Sequence, residues 1–98
     1  MKNTEQIKSL ISANLETIKK RFDVASIGVF GSYVRDEQRE DSDLDIIVVF
    51  EPGHNDLFNY ARLKAYLEEL FGIEIDLVIK NGIKPELRDK ILGEVQYA

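Results

Sequence analysis

Apolar positions fall into helical and strand periods in a regular alternation along the chain. Ile7, Ile11, Leu15, Ile18 and Phe22 are spaced by three and four and predict one amphipathic helix from Asn3 to Phe22. Asn3 with Gln6 has the form of a capping box, and Glu16 to Lys20 is a favourable i,i+4 pair. Ala25 to Phe30 reads as a short buried strand ended by Gly31-Ser32, with a short helix from Tyr33 to Gln38 and a polar loop from Arg39 to Ser42. Leu44 to Phe50, with Ile46, Ile47, Val48 and Val49 in succession, is the clearest strand. After a turn over Glu51 to Asn55 comes a helix with Tyr60, Leu63, Leu67 and Leu70 on one face, which Gly72 caps. Ile73 to Ile79 is a third strand, Asn81-Gly82 a turn, and Pro85 to Val95 a last helix with proline in its first turn.

This order predicts an α/β (α+β) fold: a small mixed sheet of three to four strands flanked by helices. A helix joins the second and third strands, so they should be parallel through a right-handed crossover. The short link between the first two suits an antiparallel pair. With 98 residues, the expectation is a single domain over 1–98.

Composition narrows the function classes. Apolar residues are 44% and charged residues 32% of the chain, as in water-soluble domains. No apolar run approaches a membrane span, and Met1 to Gln6 lacks a signal-peptide core, which points to the cytoplasm. The absence of cysteine excludes disulfides and thiolate metal sites. The net charge of −5, and no basic run longer than Lys19-Lys20-Arg21, disfavour a long RNA or DNA substrate.

Three features carry candidate chemistry. Asp43 and Asp45 are two apart at the start of a strand, so they share a face with stems about 7 Å apart. Leu44, Ile46, Val48 and Phe50 point the other way, into a core. Two adjacent carboxylates repel each other unless a hard cation such as Mg²⁺ stands between them. Asp76 interrupts the apolar run of the third strand, and an ionised carboxylate within a central strand is expensive unless paired or metal-bound. If the second and third strands are parallel neighbours, the three carboxylates converge, enough for two metal ions about 4 Å apart. Gly31-Ser32, at a strand end before a short helix, offers amides and a hydroxyl to a phosphate, and Arg35 is near enough to assist.

Each feature alone has a plainer reading. An Asp-x-Asp pair is more often a solvated strand end, Gly-Ser is often only a turn, and Asp76 could belong to a structural ion pair. Arg35 has Asp36, Glu37 and Asp41 as nearby partners. His54, the only histidine, lies in a polar turn and has no assigned role.

The combination is more specific. Gly31-Ser32, ten residues, then Asp43-Leu44-Asp45 resembles the signature of the DNA polymerase β-like nucleotidyltransferase superfamily. Arg35 and Ser42 stand where that pattern has an arginine and a serine, and Asp76 looks like its third carboxylate. The resemblance runs from Ala25 to Lys80 and is nearest to the minimal nucleotidyltransferases of the MntA-like antitoxin branch, which are paired with HEPN-domain ribonuclease toxins.

The resemblance implies a polymerase β palm-like fold and transfer of a nucleoside monophosphate, AMP from ATP, with two Mg²⁺ ions (or Mn²⁺). Asp43 and Asp45 would hold both metals, and Asp76 would complete the site of the ion that activates the acceptor oxygen. Gly31, Ser32, Arg35 and Ser42 would serve the nucleotide, with Arg35 as scaffold or secondary phosphate contact. So small a chain leaves little room for an acceptor domain, which favours a protein acceptor, a HEPN toxin modified on a tyrosine hydroxyl. Two alternatives stay open: an antitoxin that neutralises by contact alone, and a small-molecule nucleotidyltransferase that builds its acceptor site across a homodimer.

Overall fold

The computed structural model describes residues 3–39, 41–54 and 56–98. Met1, Lys2, Glu40 and Asn55 lie outside the described residues, and with them parts of the polar N-terminus, the 39–42 loop and the 51–55 turn.

The first apolar stripe folds as two helices, α1 (Thr4–Ala13) and α2 (Leu15–Phe22), rather than one. Asn14 makes the break: its side-chain amide donates to the Leu10 carbonyl at 2.9 Å, and its backbone leaves helical geometry at φ −111°, ψ 8°. Asparagine competes for backbone hydrogen bonds in this way, which is why it disfavours helix interiors. The stripe nevertheless survives the break, since Ile7, Ile11, Ile18 and Phe22 are all buried. Asn3 and Gln6 form the reciprocal cap, and Lys20 meets Glu16 at 2.8 Å in full exposure.

β1 (Val24–Phe30) runs into a 3₁₀ turn at Gly31–Tyr33, in place of the longer helix expected to Gln38. β2 (Leu44–Phe50) follows, then α3 (Leu57–Phe71), β3 (Ile75–Ile79), α4 (Pro85–Glu94) and a two-residue β4 (Gln96–Tyr97). The sheet order is β3-β2-β1-β4. β1 pairs antiparallel with both β2 and β4, and β2 pairs parallel with β3, so the sheet is mixed. On α3 the buried positions are Asn59, Leu63, Leu67 and Phe71, while Tyr60 and Leu70 flank the stripe half-buried. Gly72 ends α3 at φ +70°, a conformation that favours glycine.

The two faces of the sheet are covered unequally. Leu44, Ile46, Val48 and Phe50 join Ile27, Val29, Ile75 and Leu77 in the main core under α1, α2 and α3. The opposite face carries Phe30, Ile47 and Val78, and α4 with its flanking residues covers it thinly, through Ile91 and Leu92 of the helix and Ile83 and Val95 on either side of it. None of the residues of α4 itself is fully buried. The candidate site opens on this second face.

Polar ties anchor the frame. Asn59, the buried polar residue of α3, donates to the carbonyls of Phe22 at 2.5 Å and His54 at 2.9 Å. Tyr60 donates to the Leu77 carbonyl at 2.6 Å, and the Ile75 amide donates to Glu68 at 3.2 Å, so α3 holds β3 at its start and its middle. Thr4 donates from its hydroxyl to the Tyr33 carbonyl, tying α1 to the turn after β1.

Candidate active site

Asp45 lies one residue inside β2, with Phe30 of β1 and Asp76 of β3 as its register partners on either side. Parallel strands in register set side chains of one face abreast, and the Asp45 and Asp76 carboxyl groups lie close enough to act on each other. Asp45 is half-buried while Asp76 is exposed. The Asp45 carboxyl is pushed up to about 6, first by burial, then by the neighbouring Asp76 carboxyl. A backbone N–H from Ser32 pulls it down, and the charge of Asp43 adds a smaller upward push.

One expectation about these carboxylates is corrected. Asp76 does not lie within a central strand: β3 is the sheet edge, and Asp76 meets solvent as well as Asp45. Among the described residues no three Asp, Glu or His side chains come within common reach of one ion. Asp43 precedes β2 on exposed backbone, so its side chain is not held by the ladder and acts on Asp45 through charge. The arrangement is a pair with a third carboxylate beside it.

Gly31 fits against the pair as only glycine can. Its φ is +79°, and a Cβ built there would lie 2.0 Å from Asp45 Oδ2. The backbone of the turn is therefore packed on the Asp45 carboxylate, with the Ser32 N–H directed at it. The turn is closed by the Val34 and Arg35 amides, each donating to the Gly31 carbonyl at 3.1 Å.

Arg35 does not face the carboxylate pair. Its Nε donates to Glu37 at 2.7 Å, a neighbour visible in the sequence, and its Nη1 donates to Glu94 at 3.0 Å. Ser42 makes a local turn, its hydroxyl accepting from the Arg39 amide at 2.8 Å. His54 pairs with Asp23 at 3.2 Å, away from the site.

Glu94 is the residue that sequence reasoning missed. It ends α4, 63 positions from Gly31, yet its Oε1 accepts the Gly31 N–H at 3.0 Å. One local signal existed: an acidic residue in a last helical turn runs against the helix dipole, a conflict of about 0.3–1 kcal/mol that tertiary contacts must offset.

Oxygen donors, mutual repulsion and a glycine-bared backbone suit a hard divalent cation carrying phosphate oxygens.

Known proteins bear on this arrangement. Residues 11–98 match the family described as the nucleotidyltransferase domain. The protein adenylyltransferase MntA of Thermococcus cleftensis is 44% identical over 97 residues, covering 99% of this chain and 97% of that protein. A solved structure described as a candidate minimal nucleotidyltransferase superposes with a TM-score of 0.81 at 40% identity, covering 97% of this chain and 95% of that one. A toxin–antitoxin complex solved with AMP-PNP shares the fold, with a TM-score of 0.68 at 23% identity over 98% of this chain and 72% of that one. Family match, near full-length identity and common fold agree: the chain belongs to the nucleotidyltransferase domain family, in its minimal, MntA-like branch, and is a transferase.

Proposed function

We propose that this protein transfers AMP from ATP to a hydroxyl of a partner protein in the cytoplasm, the partner being a HEPN-domain toxin that the transfer neutralises. The observation that carries the reading is the Asp45–Asp76 pair packed against Gly31–Ser32. The protein acceptor is supported by the 44% identity to a protein adenylyltransferase. The HEPN partner is supported by the shared fold with an MNT antitoxin solved in complex with an AMPylated HEPN toxin.

Asp45 and Asp76, joined by Asp43, are the residues to hold two Mg²⁺ ions, with Mn²⁺ as a substitute. When bound, such ions neutralise phosphate charge and favour ionisation of the acceptor hydroxyl. The chain's own groups then have distinct tasks. The Ser32 hydroxyl orients the triphosphate, and Gly31 keeps the backbone close enough for that contact. Ser42 and Arg35 shape the surrounding loop. The acceptor oxygen bonds to the α-phosphorus, the bond to the α–β bridging oxygen breaks, and pyrophosphate leaves. The hydroxyl proton passes to solvent past Asp76, the carboxylate exposed at the sheet edge, where an acceptor protein can approach.

Intact-mass spectrometry of a cognate HEPN toxin incubated with this protein, ATP and Mg²⁺ tests the reading. The expected result is a mass gain of one AMP per modified site, absent with Asp43→Asn. An unmodified toxin that is still neutralised by Asp43→Asn would instead establish inhibition by contact alone.

A further inference from the structure

Glu94 stands on the far side of Gly31 from Asp45. Asp45 belongs to β2, Glu94 ends α4 with only Val95 between it and β4, and β2 and β4 flank β1. Its side chain is only 18% exposed. Oε1 accepts two donors at once, the Gly31 N–H at 3.0 Å and Arg35 Nη1 at 3.0 Å, and Oε2 accepts from the same Nη1 at 3.0 Å. Arg35 is thus held by two carboxylates, Glu94 and Glu37, and its charge is matched within the protein.

The consequence lies in the turn. Gly31 is buried, so its N–H needs a partner, and a buried donor left without one is destabilising. Glu94 supplies that partner at the residue whose left-handed conformation aims the next amide. Gly31 also packs closely on the Asp45 carboxylate, so a rotation of the Gly31–Ser32 peptide would move the Ser32 hydroxyl and disturb Asp45 together.

We propose that Glu94 is a positioning residue for the triphosphate site: by holding the Gly31 N–H and the Arg35 guanidinium together, it sets the turn that presents Ser32. This rests on the nucleotidyl-transfer reading above. Glu94 acts through Gly31 and Arg35 and does not touch the nucleotide. Arg35 accordingly belongs to the scaffold of the turn.

The test is calorimetric titration of the protein with AMP-PNP and Mg²⁺, with amide hydrogen exchange at Gly31 measured in parallel. Loss of one buried, charge-assisted contact should weaken binding about ten-fold in E94A and speed Gly31 exchange by a similar factor. E94Q, whose amide oxygen can replace Oε1, should restore affinity to within about three-fold of the parent protein. E94D retains the charge but is one methylene short of reaching both donors, and should resemble E94A, which keeps the test decisive if E94A fails to fold. In transfer assays KM for ATP should rise more than kcat falls.

Tighter binding in E94A would overturn the proposal, because Glu94 would then be an anion that competes with phosphate. Unchanged binding in E94A and E94D, or E94Q no better than E94A, would also overturn it. Absence of AMP-PNP binding by the parent protein would remove the nucleotidyl-transfer reading itself, and the positioning role with it.

Discussion

Asp45 and Asp76 are register partners across the parallel β2–β3 ladder, which sets their two carboxyl groups side by side on one face of the sheet. Two carboxylates so placed repel each other when both are ionised, which sets a local conflict near neutral pH.

That conflict predicts a pH dependence. The folded-state value for Asp45 is about 6 against an ordinary 3.8, so the folded protein holds this proton more tightly than the unfolded chain. The associated stability is fully present below about pH 4 and is lost as pH rises through 6. Because Asp45 is half-buried and screened by solvent, the loss between pH 5 and 7 should be at most about 1 kcal/mol, a fall of a few degrees in Tm. Thermal melts in metal-free buffer should show the fall in the parent protein and a flatter profile in Asp45→Asn. Parallel profiles would contradict the assignment to Asp45.

Cations should remove the same conflict. Millimolar Mg²⁺ with ATP should raise Tm, because a ligand at a hundred times its Kd adds about 2.7 kcal/mol to native-state stability. The Asp43→Asn, Asp45→Asn double variant should lose most of that gain. A parent protein whose Tm ignores Mg²⁺ with ATP would argue strongly against a metal–nucleotide site here.

Asp76→Asn separates a ligand from a structural ion pair. Removal of one partner of a buried ion pair costs about 3–5 kcal/mol. Asp76 is exposed, and its neighbour across the ladder is another carboxylate. The metal-free variant should therefore be as stable as the parent protein or more so, while AMP transfer is abolished. Chemical denaturation is the measurement, and a loss above about 2 kcal/mol would show that Asp76 is a structural partner.

Gly31→Ala addresses the turn. Left-handed backbone costs a non-glycine residue about 1–2 kcal/mol, and the new Cβ would also displace the Asp45 carboxylate. A loss of about 1–3 kcal/mol is expected, together with loss of the stabilisation by ATP and Mg²⁺. A variant that keeps parental stability and nucleotide response would show that the close approach of Gly31 to Asp45 is dispensable.

Much of this protein is written in local patterns. Alternating periods of apolar residues specify which segments are helices and strands, because burying one face is the dominant local demand, and Leu44, Ile46, Val48 and Phe50 are buried as their alternation requires. The capping box of Asn3 and Gln6 and the Gly72 cap involve near neighbours, so they too are legible. The Gly31-Ser32 and Asp43-x-Asp45 spacing names the chemistry because residue types at fixed offsets survive translation into a strand and its turn. The Asn14 break was harder to see, since the apolar stripe runs through it unchanged.

Other features depend on which strands become neighbours. β3 lies at an edge, so Asp76 is exposed and unlike the buried charge its apolar run suggested. Strand pairing sets Asp76 beside Asp45 and leaves Asp43 outside the ladder. The two-residue β4 is too short to carry a period, and it forms because β1 offers it an open edge. Glu94 reaches Gly31 because α4 is laid back across the second face of the sheet by Phe30, Ile47 and Ile83. Long-range packing determines these contacts, and no spacing within the chain encodes a hydrogen bond between groups brought together only when the sheet is complete.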